Sequence, residues 1–266
     1  MPNHLKGKNA VVLGASAEGG SGYAIAGALA SEGCNVIIAA RRDKELQKAA
    51  AKIGAQSFSC DAKNEGDISS LAQFALKTFG KVDIAVNAAG APQRGPIAEV
   101  TRQQLQDTLD LNYISHVFFI KYMAEAIGSD GSITIISSMS AVCQTDGNVF
   151  AYSCAKAAAS CLVRCAAIEY GPRNIKVNAL LPGPIDSAAT QGLFENDVIR
   201  HAFEKEVPLG RIAKPEDLAD AVTWLAGPAF VTGTNLQVNG GNFLYRFPTP
   251  EELPGGVAAY KNRPKS

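Results

Sequence analysis

A chain of 266 residues with 47% hydrophobic content can bury one large core, and its 25 basic residues balance 25 acidic ones. Zero formal charge, spread along the chain, gives no electrostatic reason to expect a nucleic-acid or membrane-surface partner. The six cysteines lack CxxC spacing and only three histidines accompany them, so no metal site is expected. Cys161 and Cys165 share a helix face and read as small apolar filler. Met1 to Lys8 is polar, without a signal-peptide core, and no apolar run reaches the roughly 20 residues of a membrane span. The reducing cytoplasm is the expected compartment.

Short apolar runs alternate with longer helical patterns. Asn9 to Leu13 reads as a buried strand, followed by a Gly-rich turn and a helix from about Gly22 to Glu32. A strand at Val36 to Ala40 and a helix at Asp43 to Ile53 come next. Strands at Gln56 to Cys60 and Val82 to Asn87 flank a helix from Glu65 to Phe79. One long helix is expected over Thr101 to Ala126, then a strand at Ser132 to Ser137 and a helix at Phe150 to Tyr170. A strand at Lys176 to Leu181, a helix at Pro215 to Leu225 and a strand at Asn235 to Val238 complete the pattern. These strands are continuous apolar runs, as suits a parallel sheet covered on both faces. The expected fold is α/β: a doubly wound, Rossmann-like parallel sheet of about seven strands, in one domain over 1–266. Residues 242–266, with four Pro and two Gly, are expected to run as an extended tail, wrapping a neighbouring subunit or loose.

Two patterns carry chemistry. Gly14-Ala-Ser-Ala-Glu-Gly-Gly20-Ser-Gly22 follows the first strand and opens a helix, where glycines let the backbone approach a pyrophosphate. Ser16, Ser21 and the helix N-terminus would join that contact. The second strand ends at Ala40-Arg41-Arg42; an acid there would accept the ribose hydroxyls of NAD, whereas Arg suits the 2′-phosphate of NADP. NADP(H) is therefore preferred, with NAD(H) the alternative, although Glu18 nearby would repel a phosphate. Arg41 and Arg42 could equally be solvated loop charges. The second pattern is Tyr152-Ser-Cys-Ala-Lys156: on a helix the two side chains lie one turn apart on one face. An ammonium so placed pulls a phenol down from its ordinary pKa of about 10 towards general acid/base duty, but a shift to 7 amounts to about 4 kcal/mol and needs further positive charge.

With these and further motifs the chain resembles the single-domain short-chain dehydrogenase/reductases, over about residues 6 to 241. Asn87-Ala-Ala-Gly90 is similar to the family's NAG motif, and Asn112 to its helix asparagine. Ile136-Ser137-Ser138 is similar to the strand delivering its serine, and Tyr152 with Lys156 to its YxxxK. Pro182-Gly183 is similar to its PG turn, and Val238-Asn239-Gly240-Gly241 to its VDGG. The resemblance implies that Tyr152 exchanges the substrate oxygen's proton and that Ser138 hydrogen-bonds that oxygen. Lys156 would bind the nicotinamide ribose and, with the oxidised nicotinamide, lower the Tyr152 pKa. Asn112 would kink its helix and hold a water between Lys156 and bulk solvent. Asp61 would sit by the adenine, with Ala62, Asn87, Ala88 and Gly90 beside the cofactor. Ile185 and Ser187 would meet the nicotinamide carboxamide, and Pro182 and Gly183 would also contact the cofactor. A homotetramer, or at least a dimer, through the Tyr152–Lys156 helix is also implied.

Three departures stand out. Five residues separate Gly14 from Gly20, two more than this subclass shows and similar to the enoyl-reductase branch. That branch places its Tyr seven residues before the Lys, and here position 149 is Val. Ser138 lies fourteen residues before Tyr152, one more than usual, so Ser140 offers a competing hydroxyl. Asn239 replaces the usual Asp.

The resulting expectation is an oxidoreductase that interconverts a secondary alcohol and a ketone. Ala188 to Glu206 resembles the family's substrate lid, with Leu193, Phe194, Val198, Ile199 and Phe203 as an apolar lining for a hydrophobic or cyclic substrate. The alternative is an amphipathic helix packed on the body. Val142, Phe150, Phe243 and Tyr245 could extend the wall. The competing class is a nucleotide-sensing protein without turnover. His116 and Trp224 are expected to be packed, and His201 to be solvated or part of the lid.

Overall fold

In the computed structural model, the described residues are 4–16, 18–143, 147–190 and 192–254. Strands β1 (Asn9–Leu13), β2 (Asn35–Ala40), β3 (Gln56–Ser59), β4 (Ile84–Asn87), β5 (Gly131–Ile136), β6 (Ile175–Pro182) and β7 (Asn235–Val238) form one sheet. Its order is β3-β2-β1-β4-β5-β6-β7, every pair parallel. The chain thus winds outward from β1 in one direction and restarts at β4 in the other. That reversal opens a crevice at the carboxyl ends of β1 and β4.

Successive strand residues point to opposite faces, and both faces are covered. Val11, Leu13, Ile37 and Ala39 pack with Leu71, Phe119, Met123 and Val163, which come from α3 (Glu65–Phe79), α5 (Ser115–Ile127) and α6 (Phe150–Tyr170). Ala10, Val12, Val36 and Ile38 pack with Ile25, Leu29, Leu46, Leu218 and Val222 from α1 (Ser21–Ser31), α2 (Asp43–Ile53) and α8 (Pro215–Ala226). Local chemistry sets the helix ends. Asn64 caps α3 by accepting from Gly66 N and Asp67 N, and Gly80, at φ 78°, ends it in the left-handed region.

The long helix expected over Thr101 to Ala126 is interrupted. Its first part, α4 (Arg102–Leu109), begins at a Thr101–Gln104 capping box. Asp110 to Ile114 then forms a π turn before α5 starts. Side chains compete for the carbonyls here: Asn112 Nδ2 donates to Thr108 O at 3.0 Å and Ser115 Oγ to Leu111 O at 2.7 Å.

Three further expectations give way. Residues 242–254 are not extended: Asn242–Leu244 and Pro250–Glu252 are 3-10 turns, and Asn242 is buried. The reason is an ion-pair cluster. Arg246 pairs with Glu206 at 3.0 Å and Glu252 at 2.6 Å, and Lys205 pairs with Glu252 at 2.5 Å. The tail beyond residue 254 lies outside the described residues. Trp224 is 53% exposed instead of packed, because it sits on the outer face of α8. Cys161 and Cys165 are exposed on the outer face of α6 and fill no core. His116 is fully buried and His201 exposed. No helix among the described residues is long and apolar enough to cross a membrane.

Candidate active site

The Gly-rich turn leaves β1 and enters α1 at the crevice. A Cβ at Gly14 would stand 2.6 Å from Ala89 N, and one at Gly22 would stand 2.3 Å from Gly14 O, so both positions demand glycine. Gly20 is the N-cap of α1 and makes no side-chain cap bond, leaving the free N–H groups around Ser21 and Gly22 at the crevice. Beside them lies a cavity of about 270 Å³ lined by Gly14, Ser16, Arg41, Arg42, Asp61, Ala62, Ala88 and Gly90. Leu13, Ala40, Cys60, Ala89, Ala91 and Leu111 also line it, and they were not among the expected contacts. Their positions follow from residues that were, since each adjoins one in sequence.

At the end of β2, Arg41 and Arg42 are exposed at the cavity, and Arg42 Nη2 donates to Ser16 Oγ at 3.4 Å. Glu18 is turned to Lys52, whose Nζ lies 2.7 Å from its carboxylate, so its charge is offset. Asp61 Oδ1 accepts from Lys63 N at 3.0 Å, which fixes the turn after β3. Asn87, at the end of β4, is fully buried; its Oδ1 accepts from Ala89 N at 3.0 Å, while Nδ2 has no partner among the described residues. Across the crevice, Pro182 ends β6 and Gly183 follows, where a Cβ would stand 3.0 Å from Asn239 Cβ. Thr190, absent from the expected set, holds this segment by donating to Ile185 O at 2.5 Å and accepting from Ser187 N at 3.0 Å. Ala188 N donates to Gly19 O at 3.0 Å, tying the start of the lid segment to the glycine turn.

Helix α6 carries Tyr152 and Lys156. Lys156 is 2% exposed, and Nζ donates to Ile136 O at 2.7 Å, at the end of β5. Burial pushes its pKa from an ordinary 10.5 down to about 7. Tyr152 is hydrogen-bonded to the Ser138 hydroxyl, which lowers its pKa, but burial outweighs this and raises it overall. The expected lowering by Lys156 is therefore not produced by the pair alone. Nζ lies 5.7 Å from the centroid of the Tyr152 ring, and a half-neutral amine is a weak cation. The hydroxyl bonded to Tyr152 is thus that of Ser138, whose Oγ also accepts from Ser140 N at 3.1 Å. Asn112, in the π turn, is 1% exposed: Oδ1 accepts from Ala91 N at 3.2 Å and Nδ2 donates to Ala91 O at 3.1 Å. A Cβ at Gly90 would stand 3.1 Å from both Asn112 Oδ1 and Lys156 Nζ. The motif after β4, the π turn and α6 thus converge on one point.

The lid is partly helical, with α7 at Asp197–Glu204. Phe194 is 3% exposed and packs edge-on against Phe203, centroids 5.4 Å apart, so it binds the lid together and offers no free surface. Leu193 is exposed, and Phe150 lines a small cavity with Gln93, Arg94 and Gly95. A larger cleft of about 740 Å³ lies at the opposite end of the strands. Two of its charged groups are engaged elsewhere: Lys176 Nζ donates to Leu225 O at 2.7 Å, and Asp83 pairs with Lys8 at 3.2 Å. Among the described residues no cluster of His, Cys, Asp or Glu could hold a metal.

A glycine-tuned turn, a helix N-terminus and a buried Lys–Tyr–Ser set at the strand ends form one crevice. A family model described as enoyl-(acyl carrier protein) reductase matches residues 14–242. A 2,5-dichloro-2,5-cyclohexadiene-1,4-diol dehydrogenase of Sphingobium indicum is 34% identical over 246 residues, 89% of this chain and 97% of that protein. The chain belongs to the short-chain dehydrogenase/reductase family. A 7alpha-hydroxysteroid dehydrogenase of Escherichia coli is 32% identical over 245 residues, 89% of this chain and 94% of that protein. A short-chain type dehydrogenase/reductase from Mycobacterium ulcerans superposes with a TM-score of 0.89 at 26% identity, covering 97% of this chain and 98% of that one. The protein is an oxidoreductase acting on hydroxyl groups with NAD(H) or NADP(H).

Proposed function

We propose that this enzyme interconverts a hydrophobic or cyclic secondary alcohol and its ketone, with NADP(H) preferred over NAD(H). The observation that carries the chemistry is the Ser138–Tyr152 hydrogen bond, made beside the buried Lys156. Arg41 and Arg42 at the cavity, with Ala40 where an acid would serve NAD, support the cofactor preference. The crevice suits such a cofactor. Gly14 and Gly22 have no room for a Cβ, and among the described residues the start of α1 lacks a side-chain cap and Asn87 Nδ2 is a buried donor without a partner. The names of the two relatives above denote cyclic alcohols, which favours that substrate class here.

Gly14, Ser16, Gly20, Ser21 and Gly22 would hold the phosphates, and Asp61 and Ala62 the adenine. Ala88, Gly90 and Lys156 would hold the nicotinamide riboside, together with Pro182, Gly183, Ile185 and Ser187. When bound, the nicotinamide supplies or accepts the hydride. In the reducing direction Tyr152 gives its proton to the substrate oxygen, and Ser138 donates a hydrogen bond to the same atom. Lys156 favours the tyrosinate left behind, and Asn112 fixes the π turn that keeps Lys156 connected to solvent. Leu193, Phe150 and Ser140 flank the substrate. Homo-oligomers formed through α6, acting in the cytoplasm without nucleic-acid or membrane partners, complete the proposal.

The test is a parallel screen of cyclohexanol, 1-phenylethanol and a hydroxysteroid with NADP+ and NAD+, read by absorbance of the reduced nicotinamide. NADP+ should give the higher kcat/KM. Arg42→Ala should narrow that gap by roughly tenfold, as expected for losing about 1.4 kcal/mol of charge-assisted hydrogen bonding. Tyr152→Phe should abolish turnover with nucleotide affinity retained. Equal rates with NAD+ would remove the cofactor preference, and an active Tyr152→Phe would remove the mechanism.

A further inference from the structure

His116 is a fully buried side chain to which the proton transfer above gives no task. It lies on α5, four residues after Asn112, and neither ring nitrogen has a partner within hydrogen-bonding distance among the described residues. Burying a polar group without a partner costs roughly 1–3 kcal/mol, a cost that leucine or phenylalanine at this position would not carry. Packing alone therefore gives no reason for histidine.

Lys156 supplies one. An ammonium has three donors, and among the described residues Nζ spends one, on Ile136 O. His116 lies close enough for the Lys156 charge to oppose its protonation, adding to the effect of burial, so the imidazole stays neutral and keeps an acceptor lone pair. Lys156 is the charged group whose field it feels. The helices that carry the two side chains, α5 and α6, pack against each other on one face of the sheet.

We propose that His116 is a positioning residue for Lys156, its neutral imidazole accepting a hydrogen bond from the Lys156 ammonium through one buried water. The proposal rests on Tyr152 and Lys156 being the proton-transfer pair. A neutral acceptor favours the charged amine against its desolvation, and a charged Lys156 favours the Tyr152 phenolate. His116 would thus act on Tyr152 at second hand, without touching substrate.

The sign of the effect is testable without a substrate. The full-length protein saturated with NADP+ is titrated by tyrosinate absorbance, and the Tyr152→Phe form of each variant is subtracted to isolate Tyr152. His116→Leu should raise the Tyr152 midpoint by about half to one unit, the worth of one net hydrogen bond. His116→Gln keeps an acceptor and should return the midpoint towards wild type, with the affinity for NADP+ unchanged in both. An unmoved midpoint in His116→Leu overturns the proposal. A lowered one does too, because it would mean a cationic imidazole. Equal shifts in the Leu and Gln variants would mean a packing role and are also fatal. If His116→Leu does not fold, His116→Met against His116→Gln gives the same comparison. Should Tyr152→Phe retain turnover, the pair itself is misassigned; an inactive Tyr152→Phe with an unmoved His116→Leu removes His116 alone.

Discussion

Lys156 is held where its charge is least welcome, which makes it a liability to the fold as well as an asset to the site. Its pKa falls from 10.5 to about 7 on burial. Between those values the unfolded chain holds a proton that the folded chain has released, so the stability of the free protein rises with pH across that window. Below pH 7 both states are charged and the full cost remains, on the order of 5 kcal/mol as an upper bound. Lys156→Met should therefore raise the thermal midpoint at pH 6, flatten its rise between pH 7 and 10, and abolish turnover. Calorimetry across that range checks it; a variant with an unchanged slope would show that Lys156 is not the group responsible. This cost was not legible in the sequence. The i,i+4 spacing of Tyr152 and Lys156 placed both on one face of α6, but spacing carries no information about burial. It suggested a phenol pulled down by its neighbour, whereas desolvation dominates both groups.

Elements set by local periodicity could be read directly, and those set by distant partners could not. β1, α2 and β7 lie at the expected residues, because apolar runs and αL glycines such as Gly54 are local signals. The π turn at Asn112 also carries a contact with Ala91, 21 residues away, which a helical pattern cannot reveal. The tail is the clearest case. Arg246 and Glu252 are six apart and meet Lys205 and Glu206 about forty residues upstream, so a Pro-rich run that looked extended is pinned beside the end of α7. Arg246 and Lys205 hold the Glu252 carboxyl well below the usual carboxylate range. A depressed carboxylate contributes above its unfolded pKa and loses that contribution as pH falls towards its folded value. Glu252→Gln should loosen the tail at pH 7, seen as faster hydrogen exchange of the Thr249 amide, which donates to Glu252 Oε2 at 2.7 Å. Added salt should act in the same direction, since the cluster is partly solvated. Exchange at Thr249 that ignores both would show that the ion pairs do not hold the tail.

For the molecule as a whole, alternating strands and helices leave few topologies, and right-handed crossovers account for winding out from β1 and then out again from β4. Assembly is a separate matter, because the pattern that marks a core cannot tell a packed face from one awaiting a partner. Cys161 and Cys165 illustrate this: small and apolar, they suit an interior, yet with Cys154 and the 80% exposed Ile168 they form the outer face of α6. Small side chains there would let a second α6 approach closely. Thiol chemistry can decide it. Burial raises the Cys34 pKa to about 11 and the Cys60 pKa to about 12, so neither should react readily at neutral pH. In a monomer Cys154, Cys161 and Cys165 should all label quickly. If α6 packs on a second copy, they should be protected at micromolar concentration and become reactive on dilution, in step with a sedimenting mass that falls towards 27.8 kDa. Rapid labelling of all three in a particle that sediments as a dimer or tetramer would move the interface elsewhere. A mass of 27.8 kDa at every concentration would remove the assembly altogether.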